Sequence, residues 1–178
     1  MSKEVHALDI KIIDWKTEPI GNDESLVRLL CTPLYFNKEL KTVNADAFDL
    51  RVLKSGDNEE YVSLARVKAF VSEEKFDEYL ATRGYRIWDD NVTNENNYYG
   101  YGVFNCKDAK EVHSMIEINP LLCKDKSHVG LFYKHPLGGY YCGPLPKTNP
   151  EILEILSDLA DLIKVKEAPE RLATKSIH

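Results

Sequence analysis

One short stretch of the sequence, SHVGLFYKHPLGGYYCGP at residues 127–144, combines two histidines with a cysteine. A thiol becomes a nucleophile when an imidazole takes its proton and a helix N-terminus lowers its pKa. No cysteine in this chain is predicted to begin a helix, and the dispersed cysteines include no C-x-x-C pair. We therefore predict reduced, structural thiols at Cys31, Cys106, Cys123 and Cys142.

A second set of residues, spread over four predicted strands, carries the chemistry of an anion-binding site. Arginine forks bind phosphate or carboxylate, and a strand glutamate with a serine elsewhere is the kind of set that NAD-consuming transferases use. The residues that we predict to bind a ligand are Arg51, Ser63, Arg66, Glu117 and His128.

Each of these residues also has a purely structural interpretation. Arg51 would pair with Asp49 or another neighbouring acid on the solvent face, and Glu117 would simply alternate with two isoleucines along a strand. Arg66 differs, because period-two geometry places it on the apolar face of its strand, where a guanidinium must find a partner. Ser63 falls on the opposite face, so Ser63 and Arg66 share a site only if a bulge interrupts the strand.

The chain contains ten tyrosines, and NNYYGYG and GGYYCGP are tyrosine clusters. Tyrosine is amphipathic and costs little entropy to order at an interface. The clusters hold almost no positive charge, and the net charge of −6 argues against general binding to a phosphate backbone. A Tyr-rich surface is therefore predicted to bind a partner protein, and general nucleic-acid binding is not expected.

Periodicity and turn signals predict the elements that position these residues. AFDLRVL and EYVSLARV flank the turn-forming KSGDNE, which predicts a hairpin over 47–67. Ser72 is predicted to cap a helix that ends at Gly84. Strands are predicted over 98–106 and 112–120, while SLVRLLCTPLYF is ambiguous between strand and short helix. NPEILEILSDLADLIKV predicts an amphipathic C-terminal helix, with Asn149 as its cap.

Residues 127–144 are themselves predicted to form a hairpin, with HPLGG as the turn. Alternation places one set of side chains, Val129, Leu131 and Tyr133, on one face. The other face carries His128 and Phe132, and Gly130 is predicted to leave space between them for another group to approach.

Because strands dominate the middle of the chain, we predict an α+β fold with a mainly antiparallel sheet, a central helix and the C-terminal amphipathic helix. Residues 1–166 are predicted to form a single domain and 167–178 a flexible C-terminal tail. An early strand is expected in ALDIKIIDW and an exposed loop in WDDNVTNENN. The first residues do not resemble a targeting leader and no apolar run approaches a membrane span, which predicts a cytoplasmic protein. No metal or cofactor is predicted.

Three short motifs resemble a pattern in small bacterial proteins of unknown function. The pattern is A-F-x-x-R, S-x-x-R and H-x-x-[IL], and it covers about residues 45–131. The resemblance implies no activity or cofactor, but it marks Ala47, Phe48, Arg51, Ser63, Arg66, His128 and Leu131.

These observations favour a bacterial binding or accessory protein that recognises a protein partner or a small anionic ligand near Arg51, Arg66 and His128. The alternative is a transferase or hydrolase acting on a nucleotide-like substrate. In that enzyme an arginine would hold phosphate, and His128 or Glu117 would move protons. The two hypotheses differ in geometry, because the enzyme needs the arginines and His128 in one concave site.

Overall fold

One antiparallel sheet organises the part of the chain that the structure describes. The computed structural model describes residues 19–32, 34–53, 55–84, 97–121 and 126–167. Its strands, in chain order, are β1 (Ser25–Thr32), β2 (Phe36–Asn37), β3 (Thr42–Val43), β4 (Val62–Arg66), β5 (Asn97–Asn105), β6 (Ile116–Pro120), β7 (His128–Tyr133) and β8 (Lys164–Glu167). Six of them form the main sheet in the order β6-β7-β4-β1-β5-β8, and β2 pairs with β3.

Helices of three kinds accompany the sheet. The α-helices are α1 (Glu73–Tyr79), α2 (Cys106–Val112) and α3 (Pro150–Leu162), and α1 continues into a π-helical turn, Leu80–Gly84. Two short 3₁₀ helices cover Ala45–Phe48 and Val67–Ala69. The predicted α+β class, with its mainly antiparallel sheet and C-terminal helix, is confirmed.

Capping residues explain where α1 and α3 begin. Ser72 Oγ accepts the Lys75 N–H at 3.2 Å, and Asn149 Oδ1 accepts the Glu151 N–H at 3.0 Å, which satisfies N–H groups that have no partner within the helix. The apolar stripe of α3 is buried, as its spacing predicts, at Ile152, Ile155, Leu156 and Leu159.

The two faces of the sheet are covered differently. The core face packs against α2, α3 and the first 3₁₀ helix, and its buried side chains include Leu26, Leu30, Leu64, Phe104, Val129 and Leu131. The outer face carries Val27 opposite Ala65 and Ser63 opposite Gly130. Helix α1 packs on this outer face through Phe76, whose ring meets Tyr101 edge-on.

The predicted hairpin over 47–67 forms only close to its turn, and the extended pairing of its two arms is wrong. Gly56 has a φ of +90°, and backbone hydrogen bonds from Leu53 to Asp57 and from Glu59 to Arg51 flank a bridge between Val52 and Asn58, but the first arm begins in a 3₁₀ helix. The Asp49 carboxylate accepts the N–H groups of Leu50 and Leu145, which takes the backbone out of an extended ladder. Strand β4 pairs instead with β1 and β7, two distant segments.

Several sequence predictions lie outside the described residues. These are the early strand at 7–15, nearly all of the loop at 88–97, Cys123 and the tail from 168 onward. Glu167, the first residue of the predicted tail, ends β8 and pairs with Gly100.

Candidate functional site

Arg66 lies on the core face, as its period-two position predicts, and it is ion-paired there. Its Nε and Nη2 donate to the two carboxylate oxygens of Glu24 at 2.9 and 2.6 Å, and Nη2 also donates to the Pro19 carbonyl. Burial alone would raise the pKa of Glu24, but hydrogen bonds from Arg66 and the Gly21 N–H hold it below its ordinary value. Arg66 is 3% exposed, and its contacts join β4 to the 19–24 segment. Ligand binding by Arg66 stays a prediction.

Ser63 and His128 meet on the outer face of the sheet. Ser63 Oγ lies 2.7 Å from His128 Nε2, since the two residues sit diagonally across the β4–β7 pair. The ring of Tyr61 meets the imidazole edge-on, with centroids 5.9 Å apart. A serine hydroxyl and an imidazole at this distance form the hydrogen bond that a nucleophile and its base require.

The space predicted beside Gly130 is filled. A Cβ at Gly130 would lie 2.8 Å from the Phe132 ring, 3.1 Å from Tyr61 and 3.2 Å from Leu121. Gly130 therefore lets aromatic side chains close over the strand, and the prediction that it leaves open space between His128 and Phe132 is wrong.

Glu117 lies farther along the same outer face, opposite Phe132. Its carboxylate accepts the Tyr140 hydroxyl at 2.9 and 3.0 Å and Asn119 Nδ2 at 2.7 Å. The hydrogen bond to Glu117 raises the pKa of Tyr140. The rings of Tyr61, Phe132 and Tyr140 follow one another at 5.4 and 5.3 Å, forming an aromatic strip. Of this strip only Tyr140 belongs to the tyrosine clusters of the sequence, and recognition of a partner protein through those clusters stays a prediction.

Arg51 belongs to a different part of the molecule. Its Nε and Nη2 donate to Glu59 at 3.2 and 3.4 Å, while Asp49, the acid first expected as its partner, binds Lys147. The guanidinium carbon lies 5.6 Å from the ring centre of Tyr35, and the side chain is 42% exposed. Arg51 is therefore the solvent-facing member of a group around Tyr35.

Arg28 approaches the same tyrosine from within the sheet. Its guanidinium carbon lies 4.8 Å from the Tyr35 ring centre, which is cation–π distance. Arg28 Nε donates to the Ala47 carbonyl at 2.9 Å, and Nη1 donates to the Ser63 carbonyl at 3.1 Å. Arg28 is 7% exposed, and among the described residues it forms no ion pair and its Nη2 meets no acceptor.

Tyr35 completes this group. The residue is 4% exposed, and its hydroxyl is buried with no hydrogen-bond partner in the described part of the chain. Burial raises the pKa of Tyr35, although Arg28 and Arg51 act in the opposite direction, so the hydroxyl keeps its proton and is a donor. Burial likewise raises the pKa of the neighbouring Cys31 thiol. We call Arg28, Tyr35 and Arg51 the arginine–tyrosine cluster.

The five predicted site residues thus divide among three places. Ser63, His128 and Glu117 share the outer face, Arg66 is paired on the core face, and Arg51 lies in the arginine–tyrosine cluster. Arg28 is absent from the prediction, although its sequence setting contains the signal. A lone arginine in the apolar run LVRLLC must find a partner for its charge, by the same reasoning that singles out Arg66.

The prediction that no cysteine begins a helix is wrong. Cys106 begins helix α2, where the Asn105 side chain caps the helix. Cys106 is fully buried and burial raises the pKa of its thiol, which disfavours the nucleophilic thiolate. Cys142 is exposed, and none of the three described cysteines hydrogen-bonds a histidine.

A separate cavity of about 310 Å³ lies between the end of α2 and the start of α3 and is lined by His113, His135 and Glu151. The Nδ1 atoms of both histidines accept backbone N–H groups, and His113 Nε2 contacts Glu151. Within the described ranges, no group of three or more acidic, histidine or cysteine side chains is arranged to hold a metal ion. No helix in those ranges has the length and apolar character to cross a membrane.

Comparison with known proteins adds no relative: no protein-family model, no curated protein and no solved structure matches this chain.

Proposed function

We propose that this protein binds a small oxyanion, of the phosphate or sulfate class, at the arginine–tyrosine cluster. The observation that carries the proposal is Arg28, a buried guanidinium with no carboxylate partner among the described residues. A charge removed from water is costly unless an opposite charge lies beside it. Two backbone carbonyls and the face of an aromatic ring compensate only part of that cost, and a bound anion would supply the rest.

The donors of the cluster define the ligand chemistry. Arg28 has Nη2 and Arg51 has Nη1 unused by the described residues, and Tyr35 offers a protonated hydroxyl. All three groups donate, so the ligand must accept hydrogen bonds and carry negative charge. Planar guanidinium forks suit the tetrahedral oxygens of phosphate and sulfate. The ligand would enter from the side of Arg51, which is the exposed end of the cluster.

Direct titration with inorganic phosphate and with sulfate tests this function. Isothermal titration and thermal denaturation should both report binding to the wild-type chain, because an anion that binds only the folded state raises its stability. Replacing Arg28 or Arg51 by Met removes one charge-assisted contact of about 1.5–3 kcal/mol, which weakens binding roughly ten- to a hundredfold. Arg28→Lys should retain part of the affinity, because it keeps the charge but loses the fork.

Two controls keep this test decisive. Arg83→Met removes an exposed arginine away from the cluster and should leave phosphate affinity unchanged. Arg51→Met changes a partly exposed side chain, so it remains informative if Arg28→Met does not fold. Equal phosphate affinity in wild type, Arg51→Met and Arg83→Met would refute the proposed function.

A further inference from the structure

Glu59 is the acid that already occupies part of the arginine–tyrosine cluster. Its carboxylate accepts Arg51 Nε at 3.2 Å, Arg51 Nη2 at 3.4 Å and the Arg51 backbone N–H at 2.8 Å. Glu59 is thus, within the described residues, the only acid paired with either arginine of the cluster. The Glu59 carboxylate is itself an oxyanion on the Arg51 guanidinium, so it shows how this guanidinium binds one.

The hold of Glu59 on the guanidinium is loose. Charge-assisted N–H···O contacts are ordinarily about 2.7–2.9 Å long, and the Arg66–Glu24 pair of this protein has contacts of 2.6 and 2.9 Å. The guanidinium contacts of Glu59 are longer by several tenths of an ångström, and the Arg51 side chain is in part exposed to water. Water and salt reach this pair from the side of Arg51 and weaken it, since the Glu59 side chain is only 15% exposed. Another anion can therefore compete for the guanidinium, and the hydrogen bond from the Arg51 N–H is the contact that Glu59 gives up.

The backbone at Glu59 is held independently of this side chain. The Glu59 N–H donates to the Arg51 carbonyl at 2.8 Å, and the Glu59 carbonyl accepts the Gly143 N–H at 2.9 Å. Neither bond involves the carboxylate. Displacement of Glu59 therefore requires a rotamer change and the loss of the hydrogen bond from the Arg51 N–H, but no break in these two backbone bonds.

Displacement of Glu59 changes the net charge that the cluster presents to a ligand. With Glu59 in place, the cluster has two guanidiniums and one carboxylate, which matches a single negative charge. With Glu59 swung away, both guanidiniums face the ligand and match a dianion such as sulfate.

We infer that Glu59 is an internal competitor, whose carboxylate occupies on Arg51 the position that an incoming dianion takes and is displaced when that dianion binds. This inference rests on the proposed anion site. Glu59 is then the group that tunes the affinity of that site, and the turn at Gly56 leads into the residues that present it.

The matched neighbours Glu59 and Glu60 provide the experiment. Glu59→Gln removes the competing charge, whereas Glu60→Gln removes the same charge from an exposed side chain at the next position. Sulfate and phosphate affinities are measured by isothermal titration at one fixed ionic strength. We expect Glu59→Gln to bind both anions about tenfold more tightly than wild type, the factor for a competitor that occupies the fork nine-tenths of the time. Glu60→Gln should stay within about twofold of wild type, because screened surface charge alone changes affinity little.

The outcomes separate this inference from the proposed function. If Arg28→Met or Arg51→Met abolishes binding while Glu59→Gln binds no more tightly than Glu60→Gln, the internal competitor is refuted and the anion site stands. If wild type, Glu59→Gln and Arg51→Met all fail to bind phosphate and sulfate, both are refuted. A gain in affinity confined to Glu59→Gln, and lost in the Glu59→Gln/Arg51→Met double variant, supports both.

Discussion

Two buried arginines on one face of the sheet differ in whether a carboxylate meets them. Arg66 on β4 lies opposite Leu26, and Arg28 follows Leu26 by two positions on β1, so both side chains start from the core face. Arg66 is held bidentately by Glu24. Arg28 contacts two carbonyls and the Tyr35 ring, and it forms no ion pair within the described ranges.

Arg66 is a structural arginine, whereas Arg28 is the arginine proposed to bind a ligand. Both arginine side chains are buried and positively charged, and in the sequence each is a lone cation among apolar residues. Glu24, brought in from the 19–24 segment, accepts two hydrogen bonds from the Arg66 guanidinium, and the Pro19 carbonyl of the same segment accepts another. A buried arginine is therefore a candidate for ligand binding when the fold places no carboxylate beside it to neutralise its charge.

The largest expected change in unfolding free energy comes from removing the carboxylate that distinguishes the two arginines. Glu24→Gln leaves Arg66 buried without a counter-charge, which costs about 3–5 kcal/mol of unfolding free energy. Urea unfolding measures this change. Arg28→Met, in buffer without phosphate or sulfate, should cost at most about 1–3 kcal/mol, because it strands two carbonyls but also removes a buried charge that is only partly compensated. Comparable losses in the two variants would show that the arginines are equivalent and would break the comparison.

Smaller effects are expected when the hydroxyl is removed from either of the two buried tyrosines, and the two effects have opposite signs. Tyr133 donates to the Phe48 carbonyl at 2.6 Å, whereas the Tyr35 hydroxyl is buried without a partner. Tyr133→Phe should lower the unfolding free energy by about 1 kcal/mol, because it strands that carbonyl. Tyr35→Phe should instead raise it by about 1 kcal/mol in the absence of an anion, since it removes a buried unsatisfied group.

The same tyrosine pair tests the anion site by titration. Tyr35→Phe should weaken phosphate binding while Tyr133→Phe leaves it unchanged, so a stabilising substitution would reduce ligand affinity. A loss of stability in Tyr35→Phe as large as in Tyr133→Phe would mean that the Tyr35 hydroxyl has a partner in the unliganded protein.

The smallest effect is the acid dependence of the Arg66–Glu24 pair. The pKa of Glu24 lies below its ordinary value of 4.5, so the stability that this carboxylate contributes is complete above that value and is lost as the pH falls through the folded pKa. The difference in unfolding free energy between wild type and Glu24→Gln should therefore be constant from pH 7 to about 5 and shrink below about 4.5. Glu60→Gln, an exposed change of the same kind, should show no comparable trend; a pH-independent gap for Glu24→Gln would contradict the assignment.

Local signals in the sequence determined much of the fold. The spacing of Ile152, Ile155 and Leu159, with Asn149 and Pro150 before them, is enough to specify helix α3. Alternation specifies which residues of β7 face the core, and it places Arg66 on the apolar face of β4. These features depend on periodicity and capping within a few residues, which a single sequence displays directly.

What only the tertiary structure decided is which distant groups meet. The Asp49 hydrogen bond to Leu145 replaces a predicted strand arm, and β4 pairs with β1 and β7 rather than with its neighbour in the chain. Glu24 reaches Arg66 across 42 positions, while Arg28 meets Tyr35 and no acid among the described residues. Long-range pairing depends on which segments the whole core brings together. The sequence therefore identified Arg66 as a buried cation, and only the fold showed that Glu24 pairs with it and that Arg28, absent from the prediction, forms no ion pair within the described residues.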